Sequence, residues 1–182
     1  AIDGLILHLS GKRTPRIIWR TKEHRELTPE EEEKRREKYE GAHVIPPVIG
    51  VHKNVALLDI NSLYPTIIQS FNIGPETYVP EGYAPGDWGK ESSDFIRSPI
   101  GRGWFRKEPK SVFSEALEYV LTFKNDYKKK LAAMQPESTE WKAARAVYEA
   151  YKVFANAMYG VMGSDFSRYY NKDVAENITL TG

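Results

Sequence analysis

A single carboxylate, Asp59, closes the apolar run Val55-Ala56-Leu57-Leu58, and Ile60-Asn61-Ser62-Leu63-Tyr64-Pro65 follows it directly as a polar turn and a helix start. An acid at a strand end can hold a divalent cation, while the backbone N–H groups of a first helical turn face an anion. The segment is therefore shaped for a metal–phosphate ligand. Without its neighbours, Asp59 reads better as a strand-end residue capping the next helix. Further on, Lys124 and Lys128 stand one helical turn apart, as do Lys152 and Asn156, so that each pair shares a helix face. Such faces offer positive charge to an anion, although a solvated lysine-rich surface explains Lys124 and Lys128 almost equally well. Tyr159-Gly160, taken alone, is an ordinary helix break.

The elements that must position these residues follow from pattern and punctuation. Residues 1–10 read as the tail of a helix stopped by Ser10-Gly11-Lys12 and Pro15. Thr28-Pro29-Glu30-Glu31 opens another, with Thr28 as N-cap, Pro29 in the first helical position, acids in the first turn and Arg35, Arg36 and Lys38 in the last. Residues 43–52 hold Pro46-Pro47 and Gly50 and form an extended connector, and 54–60 reads as a buried strand. Prolines and glycines crowd residues 74–103, a loop-rich excursion that Tyr83, Trp88 and Phe95 are expected to pack against the body. Two long helical patterns, 111–134 and 139–163, flank Gln135-Pro136-Glu137-Ser138 and predict an antiparallel hairpin. Val112, Phe113, Leu117, Val120, Leu121 and Leu131 mark the apolar stripe of the first, and Val147, Tyr148, Tyr151 and Phe154 that of the second.

With 182 residues and 41% hydrophobic content, the chain is long enough to bury a core in one domain or two small ones. The absence of cysteine leaves Asp, Glu and His as metal ligands. A formal charge of +1 argues against binding nucleic acid by bulk attraction, yet the clustering of lysines after residue 107 permits a local basic face. No apolar run approaches the roughly 20 residues of a membrane helix. The opening in an apolar run and the closing glycine suggest a piece of something larger.

Asp59-Ile60-Asn61-Ser62-Leu63-Tyr64-Pro65-Thr66-Ile67-Ile68 resembles motif A of the family-B DNA polymerases, D-x-x-S-L-Y-P-S-I-I, departing at Thr66. Lys152 through Gly160 resembles their motif B, K-x-x-x-N-S-x-Y-G, with Ala157 in place of serine. Tyr39-Glu40-Gly41-Ala42 resembles the Y-x-G-G/A element, Arg168-Tyr169-Tyr170 the A-R-x-Y element, and Ala175 to Thr179 the A-E-x-I-T element. The resemblance runs from about Tyr39 to Gly182, with 75–104 matching poorly.

What the resemblance implies is an α+β fold: part of a polymerase palm, carrying the strand and helix of motif A, with an antiparallel two-helix fingers hairpin. Residues 1–38 would end an exonuclease or linker region, 39–110 belong to the palm, 111–163 to the fingers, and 164–182 return to the palm. The implied activity is template-directed transfer of deoxynucleotides to a primer 3′-hydroxyl, with primer–template DNA, dNTP and the remaining polymerase domains, in the same or a second chain, as partners. Two Mg²⁺ ions would serve it, with Asp59 and the Ile60 carbonyl as ligands. Ser62, Leu63, Tyr64, Lys124, Lys128, Lys152 and Asn156 would bind the nucleotide, Tyr64 also excluding a 2′-hydroxyl. Tyr39 and Gly41 would touch the template, and Tyr159 and Gly160 the nascent base pair. Lys124 stands where the family usually has arginine, a weaker partner for phosphate.

The family's second metal-binding carboxylate comes from a Y-x-D-T-D string that this sequence lacks. One carboxylate does not hold two ions, so the segment alone is expected to be inactive. Rival readings are a non-catalytic relative that binds primer–template and a helical-hairpin interaction module. The implied location is a prokaryotic, archaeal or viral host's cytoplasm, or a eukaryotic nucleus.

Overall fold

The computed structural model describes residues 1–19, 45–83 and 94–182. The expected helix at 28–40, Tyr39, Gly41 and Trp88 lie outside the described residues. In chain order the elements are α1 (Ile2–Lys12), α2 (Leu63–Ser70), β1 (Tyr78–Val79), a 3₁₀ turn (Glu81–Tyr83), β2 (Phe95–Arg97), β3 (Trp104–Arg106), α3 (Val112–Ala133), α4 (Thr139–Gly163) and α5 (Lys172–Thr179). The fold therefore mixes helices with one small antiparallel sheet.

The helical hairpin forms where the pattern predicts it. Ser111 caps α3 by accepting the Ser114 N–H at 3.0 Å, and Ser138 caps α4 by accepting the Trp141 N–H at 3.1 Å. On α3 most of the expected stripe is buried: Val112, Phe113 and Leu117 are inaccessible and Val120 nearly so, while Leu121 and Leu131 are only partly covered. On α4 the buried seam runs instead through Ala144, Ala155, Met158 and Met162. Ala155, Met158 and Met162 follow a spacing of three and four, with Ala144 about three turns earlier on the same face, but small alanines let the helices approach, and a search for large side chains passes over them. Phe123 of α3 stacks on Tyr151 of α4 with ring centroids 5.6 Å apart and planes at 13°.

The loop-rich excursion contains a sheet that the sequence pattern did not reveal. Its order is β1-β3-β2, both pairs antiparallel, with Phe105 of β3 opposite Tyr78 on one side and Ile96 on the other. Strands of two and three residues are too short to display alternation. Gly103 has φ +80°, and a Cβ there would stand 2.7 Å from the Tyr78 ring and from the Val79 carbonyl oxygen, so only glycine fits. Phe95 joins β2, while Tyr83 is 81% exposed and does not pack the excursion onto the body. The sheet is tied to α5 by the Arg102–Glu176 ion pair at 2.9 Å and by a hydrogen bond from Ser98 to Asn177.

The core joins α1, α2, the sheet and the last three helices around Ile6, Ile68, Ile73, Phe105, Phe113, Leu117, Met158 and Ile178. Full burial of each such side chain contributes about 1.5–3 kcal/mol. The N-terminal helix is held by Asp3, which accepts a hydrogen bond from the Tyr169 hydroxyl at 2.9 Å and pairs with Arg168.

One expectation is overturned. Residues 54–60 form no strand and are not buried: Val55, Leu57, Leu58 and Ile60 are 72, 93, 92 and 65% exposed. An apolar strand needs neighbouring backbone to complete its ladder and a surface to cover its side chains. The three described strands pair among themselves, so this run has neither.

Candidate functional site

The site is built at the start of α2. Leu63, Tyr64 and Pro65 form its first turn, and the residue before them, Ser62, adopts the left-handed conformation at φ 55° and ψ 48°. Its side chain makes no capping hydrogen bond to the helix. Instead the Ser62 hydroxyl accepts a hydrogen bond of 2.8 Å from the ammonium of Lys124, reaching in from the middle of α3. Pro65 has no N–H, and among the described residues no acceptor faces the N–H groups of Leu63 and Tyr64. Two backbone donors and an ammonium thus gather at one helix end, where the helix dipole also favours negative charge.

Lys124 is 9% exposed, which corrects the solvated-surface reading. Burial pushes its pKa down, and the neighbouring charges of Lys128 and Lys152 push the same way. Lys124 thus feels positive charge from both helices of the hairpin, from Lys128 on α3 and Lys152 on α4. Lys128 and Asn156 are exposed, and Lys152 lies 3.7 Å from Glu149 in a half-exposed ion pair. Such a pair holds an ammonium only weakly, leaving its charge available to a ligand. Across the helix start, the Tyr64 and Tyr159 rings meet with centroids 5.0 Å apart at 54°. A Cβ on Gly160 would meet nothing within 4 Å, so open space lies beside Tyr159.

Ser62, Leu63, Tyr64, Lys124 and Tyr159 are thus brought around one helix end, while Lys128 and Lys152 are tied to it only through their charge on Lys124. Asp59 and Ile60 are not joined to them: both lie on the exposed run before the turn, and no hydrogen bond or ion pair links either to the lysines.

A family model described as DNA polymerase family B matches residues 10–182. The chain belongs to DNA polymerase family B. Among curated relatives, this family-B sequence is 35% identical over 157 residues to DNA polymerase 2 of Aeropyrum pernix, covering 86% of this chain and 19% of that protein. It is 36% identical over 146 residues to a DNA polymerase of Archaeoglobus fulgidus, covering 80% of this chain and 17% of that one. The solved structure of the family B DNA polymerase from Pyrobaculum calidifontis matches with a TM-score of 0.69 at 27% identity, over 98% of this chain and 21% of that one. The chain spans about a fifth of the length of these relatives.

A family-B site implies divalent metal, and the donor set can be compared with that need. Among the described residues no group of three or more His, Asp or Glu gathers where an ion would bind. Asp59 and the Ile60 carbonyl, the ligands expected from the resemblance, would be at most a partial set and do not by themselves fit a two-ion centre. No helix among the described residues is long and apolar enough to cross a membrane.

Sequence reasoning missed three features of this family-B site. The Lys124–Ser62 contact was hidden because a lysine-rich helix face looks solvated. Gly182 packs so closely that a Cβ there would stand 3.0 Å from Tyr64 Cε1 and 3.1 Å from Leu63 Cδ2, a contact no local pattern signals. Asn72 links the end of α2 to the start of α3: its Nδ2 donates to the carbonyls of Arg106 and Pro109, at 2.8 and 3.1 Å, and its Oδ1 accepts the Ser111 N–H at 2.7 Å. The Asn72-Ile73-Gly74 string directly after a helix was the available signal, since Asn at φ 52° is a natural helix terminator.

Proposed function

We propose that this chain carries the nucleotide-handling part of a template-directed DNA polymerase, with 39–110 and 164–182 in the palm and 111–163 as the fingers. The observation that carries the reading is the bond from the Lys124 ammonium to Ser62 at the uncapped start of α2, with Lys128 and Lys152 near enough to Lys124 for their charge to act on it. In this reading the N–H groups of Leu63 and Tyr64, the Ser62 hydroxyl and the lysines receive the β- and γ-phosphates of a dNTP, with Asn156 beside them. The primer 3′-hydroxyl attacks the α-phosphorus and pyrophosphate leaves, so positive charge facing the departing phosphates stabilises charge that grows in the transition state.

Tyr64, flanked by Tyr159 and backed by Gly182, lies beneath the sugar and excludes a 2′-hydroxyl. Tyr159 and Gly160 lie beside the nascent base pair, and Tyr39 and Gly41 near the template. Asp59 and the Ile60 carbonyl contribute to the binding of the two Mg²⁺ ions in the complete enzyme, and the partners are primer–template DNA, dNTP and the remaining polymerase domains. Residues 1–38 connect to an exonuclease or linker region. The enzyme works in the cytoplasm of a prokaryotic, archaeal or viral host, or in a eukaryotic nucleus. The segment alone extends no primer, because one carboxylate does not complete the ion centre.

Primer extension by the complete polymerase carrying Asp59→Ala tests the reading. Extension should fall about a thousandfold or more while primer–template binding changes little. Substantial synthesis by this variant would remove the metal assignment.

A further inference from the structure

The starts of α3, α4 and α5 follow one pattern. Ser111, Ser138 and Asn171 have extended backbone, and each accepts the N–H three residues on, at 3.0, 3.1 and 3.1 Å. The start of α2 breaks it twice. Ser62 is left-handed, a conformation that a side chain other than glycine seldom adopts, and the N–H that it would normally accept is missing because position 65 is proline. Only the Tyr64 N–H remains as a capping partner. The Ser62 hydroxyl is not turned to it but faces across to α3, on the Lys124 ammonium.

We propose that Lys124 is a positioning residue: by drawing the Ser62 hydroxyl across to α3 it keeps Ser62 from capping α2, and so keeps the Tyr64 N–H open for an anionic ligand. Serine at a helix start has a standing preference to accept an N–H of the first turn, and a left-handed serine relaxes toward extended backbone once nothing holds it. Lys124 is the only described group that the Ser62 side chain bonds to, so it is the group that opposes that relaxation. Lys124 is 9% exposed, so the stem of its side chain has little freedom to release the hydroxyl. Lys124 would then contribute to ligand affinity twice, once through its charge and once by keeping a backbone donor vacant. The second contribution rests on the nucleotide reading only for the identity of the ligand.

The test uses the complete polymerase chain and has two independent readouts. The first needs no ligand: hydrogen–deuterium exchange of the peptide covering residues 60–66. In Lys124→Met, which keeps the aliphatic stem in its buried place, one amide fewer should exchange within the first seconds, because the released Ser62 hydroxyl now accepts the Tyr64 N–H. In Lys124→Met/Ser62→Gly that amide should exchange fast again, since glycine tolerates the left-handed backbone and has no hydroxyl. Lys124→Arg keeps a donor and should exchange as the parent does. Equal exchange in the parent and Lys124→Met overturns the proposal, and so does slow exchange that persists in the double variant or arises in Lys124→Arg.

The second readout is the affinity for dATP with Mg²⁺. Lys124→Met should bind about tenfold more weakly than the parent, and adding Ser62→Gly should restore at least about threefold of that loss, although it removes a polar group. A double variant as weak as Lys124→Met, or weaker, overturns the coupling of the cap to binding. If the parent itself fails to bind dATP, the nucleotide reading falls, and the exchange experiment still decides whether Lys124 holds Ser62.

Discussion

The helices α2 and α3 both begin with a serine, and they treat their free N–H groups in opposite ways. At the start of α3 the N–H groups of Ser111, Val112 and Ser114 are all taken. Ser111 is fully buried, its N–H goes to Asn72 Oδ1 at 2.7 Å, and its hydroxyl donates to the Ile73 carbonyl while accepting from the Ser114 N–H, both at 3.0 Å. The next N–H, of Val112, is taken by Glu76 Oε1 at 2.6 Å. At the start of α2 Ser62 turns away, Pro65 contributes no donor, and the amides of Leu63 and Tyr64 are left over. Saturating a helix end stabilises the fold by about 1 kcal/mol per cap, and leaving one open forfeits that stabilisation while retaining bonding capacity. In the proposed reading the sealed end belongs to the scaffold and the open end to the ligand.

Substitutions at the two ends should therefore separate binding from stability. The largest effect is expected at the open end. In the complete polymerase, Lys152→Ala should raise the dNTP KM and lower kcat together, for a combined loss of roughly 2–4 kcal/mol, with the melting temperature hardly changed. Unaltered single-nucleotide kinetics would reduce Lys152 to a surface residue of the Glu149 pair.

Asn72→Ala strikes the sealed end. It strands the Ser111 N–H and three carbonyls that Nδ2 now serves, so chemical denaturation should report a loss of about 2–3 kcal/mol, while nucleotide affinity of the folded variant stays within about twofold. A stability loss below about 0.5 kcal/mol would mean that the join between α2 and α3 does not depend on it.

A smaller and more selective effect is expected at Tyr64, between the two serines. Tyr64→Val should raise the use of ribonucleotides relative to deoxynucleotides by about tenfold, roughly 1.4 kcal/mol, with dNTP insertion retained. Tyr64→Phe should discriminate as the parent does, because the exclusion is overlap rather than a lost hydrogen bond. Equal discrimination by the valine variant would make Tyr64 a packing partner of Tyr159 and nothing more.

The smallest effect concerns Glu76 at the sealed end and appears only as pH changes. Burial is the main cause that raises its pKa, against the opposing pull of its own backbone amide, the Val112 N–H and Arg13. A carboxyl whose folded pKa lies above its unfolded one stabilises the fold fully below the unfolded pKa, and that contribution is lost as pH rises through the folded value. Glu76→Gln keeps an acceptor for the Val112 N–H and never ionises. Its melting temperature should exceed the parent's near neutral pH, with the gap closing as pH falls toward about 4. A gap that does not change with pH would show that Glu76 ionises in the fold as readily as in the unfolded chain.

The same contrast explains what the sequence made legible. The hairpin helices were expected at 111–134 and 139–163 and lie at Val112–Ala133 and Thr139–Gly163, because long periodic runs bracketed by Ser111 and Ser138 carry their own boundaries. The residues of the open end were legible through two short motifs whose spacing is local. Residues 54–60 were misread because an apolar run reports an appetite for burial and says nothing of whether a partner is at hand. The small sheet and the Asn72 join depend on meetings between residues distant in sequence, Tyr78 with Phe105 and Asn72 with Ser111, and no periodicity encodes those. Lys124 was assigned to the nucleotide through the resemblance, with a solvated face almost as good a reading of the residues; its neighbours Lys128, Lys129 and Lys130 are exposed, and Lys124 itself is buried.

The length of α3 has a mechanical corollary. Its 22 residues make a rod of about 33 Å at ~1.5 Å per residue, fastened at the Asn72 end and carrying Lys124 about 18 Å along it. A tilt of roughly 10° about the fastened end would swing the far tip by about 6 Å and carry Lys124 through about 3 Å, the span of a single hydrogen bond. The bond from Lys124 to Ser62 therefore works as a gauge of the hairpin's angle, intact at one inclination and broken by a modest change in it.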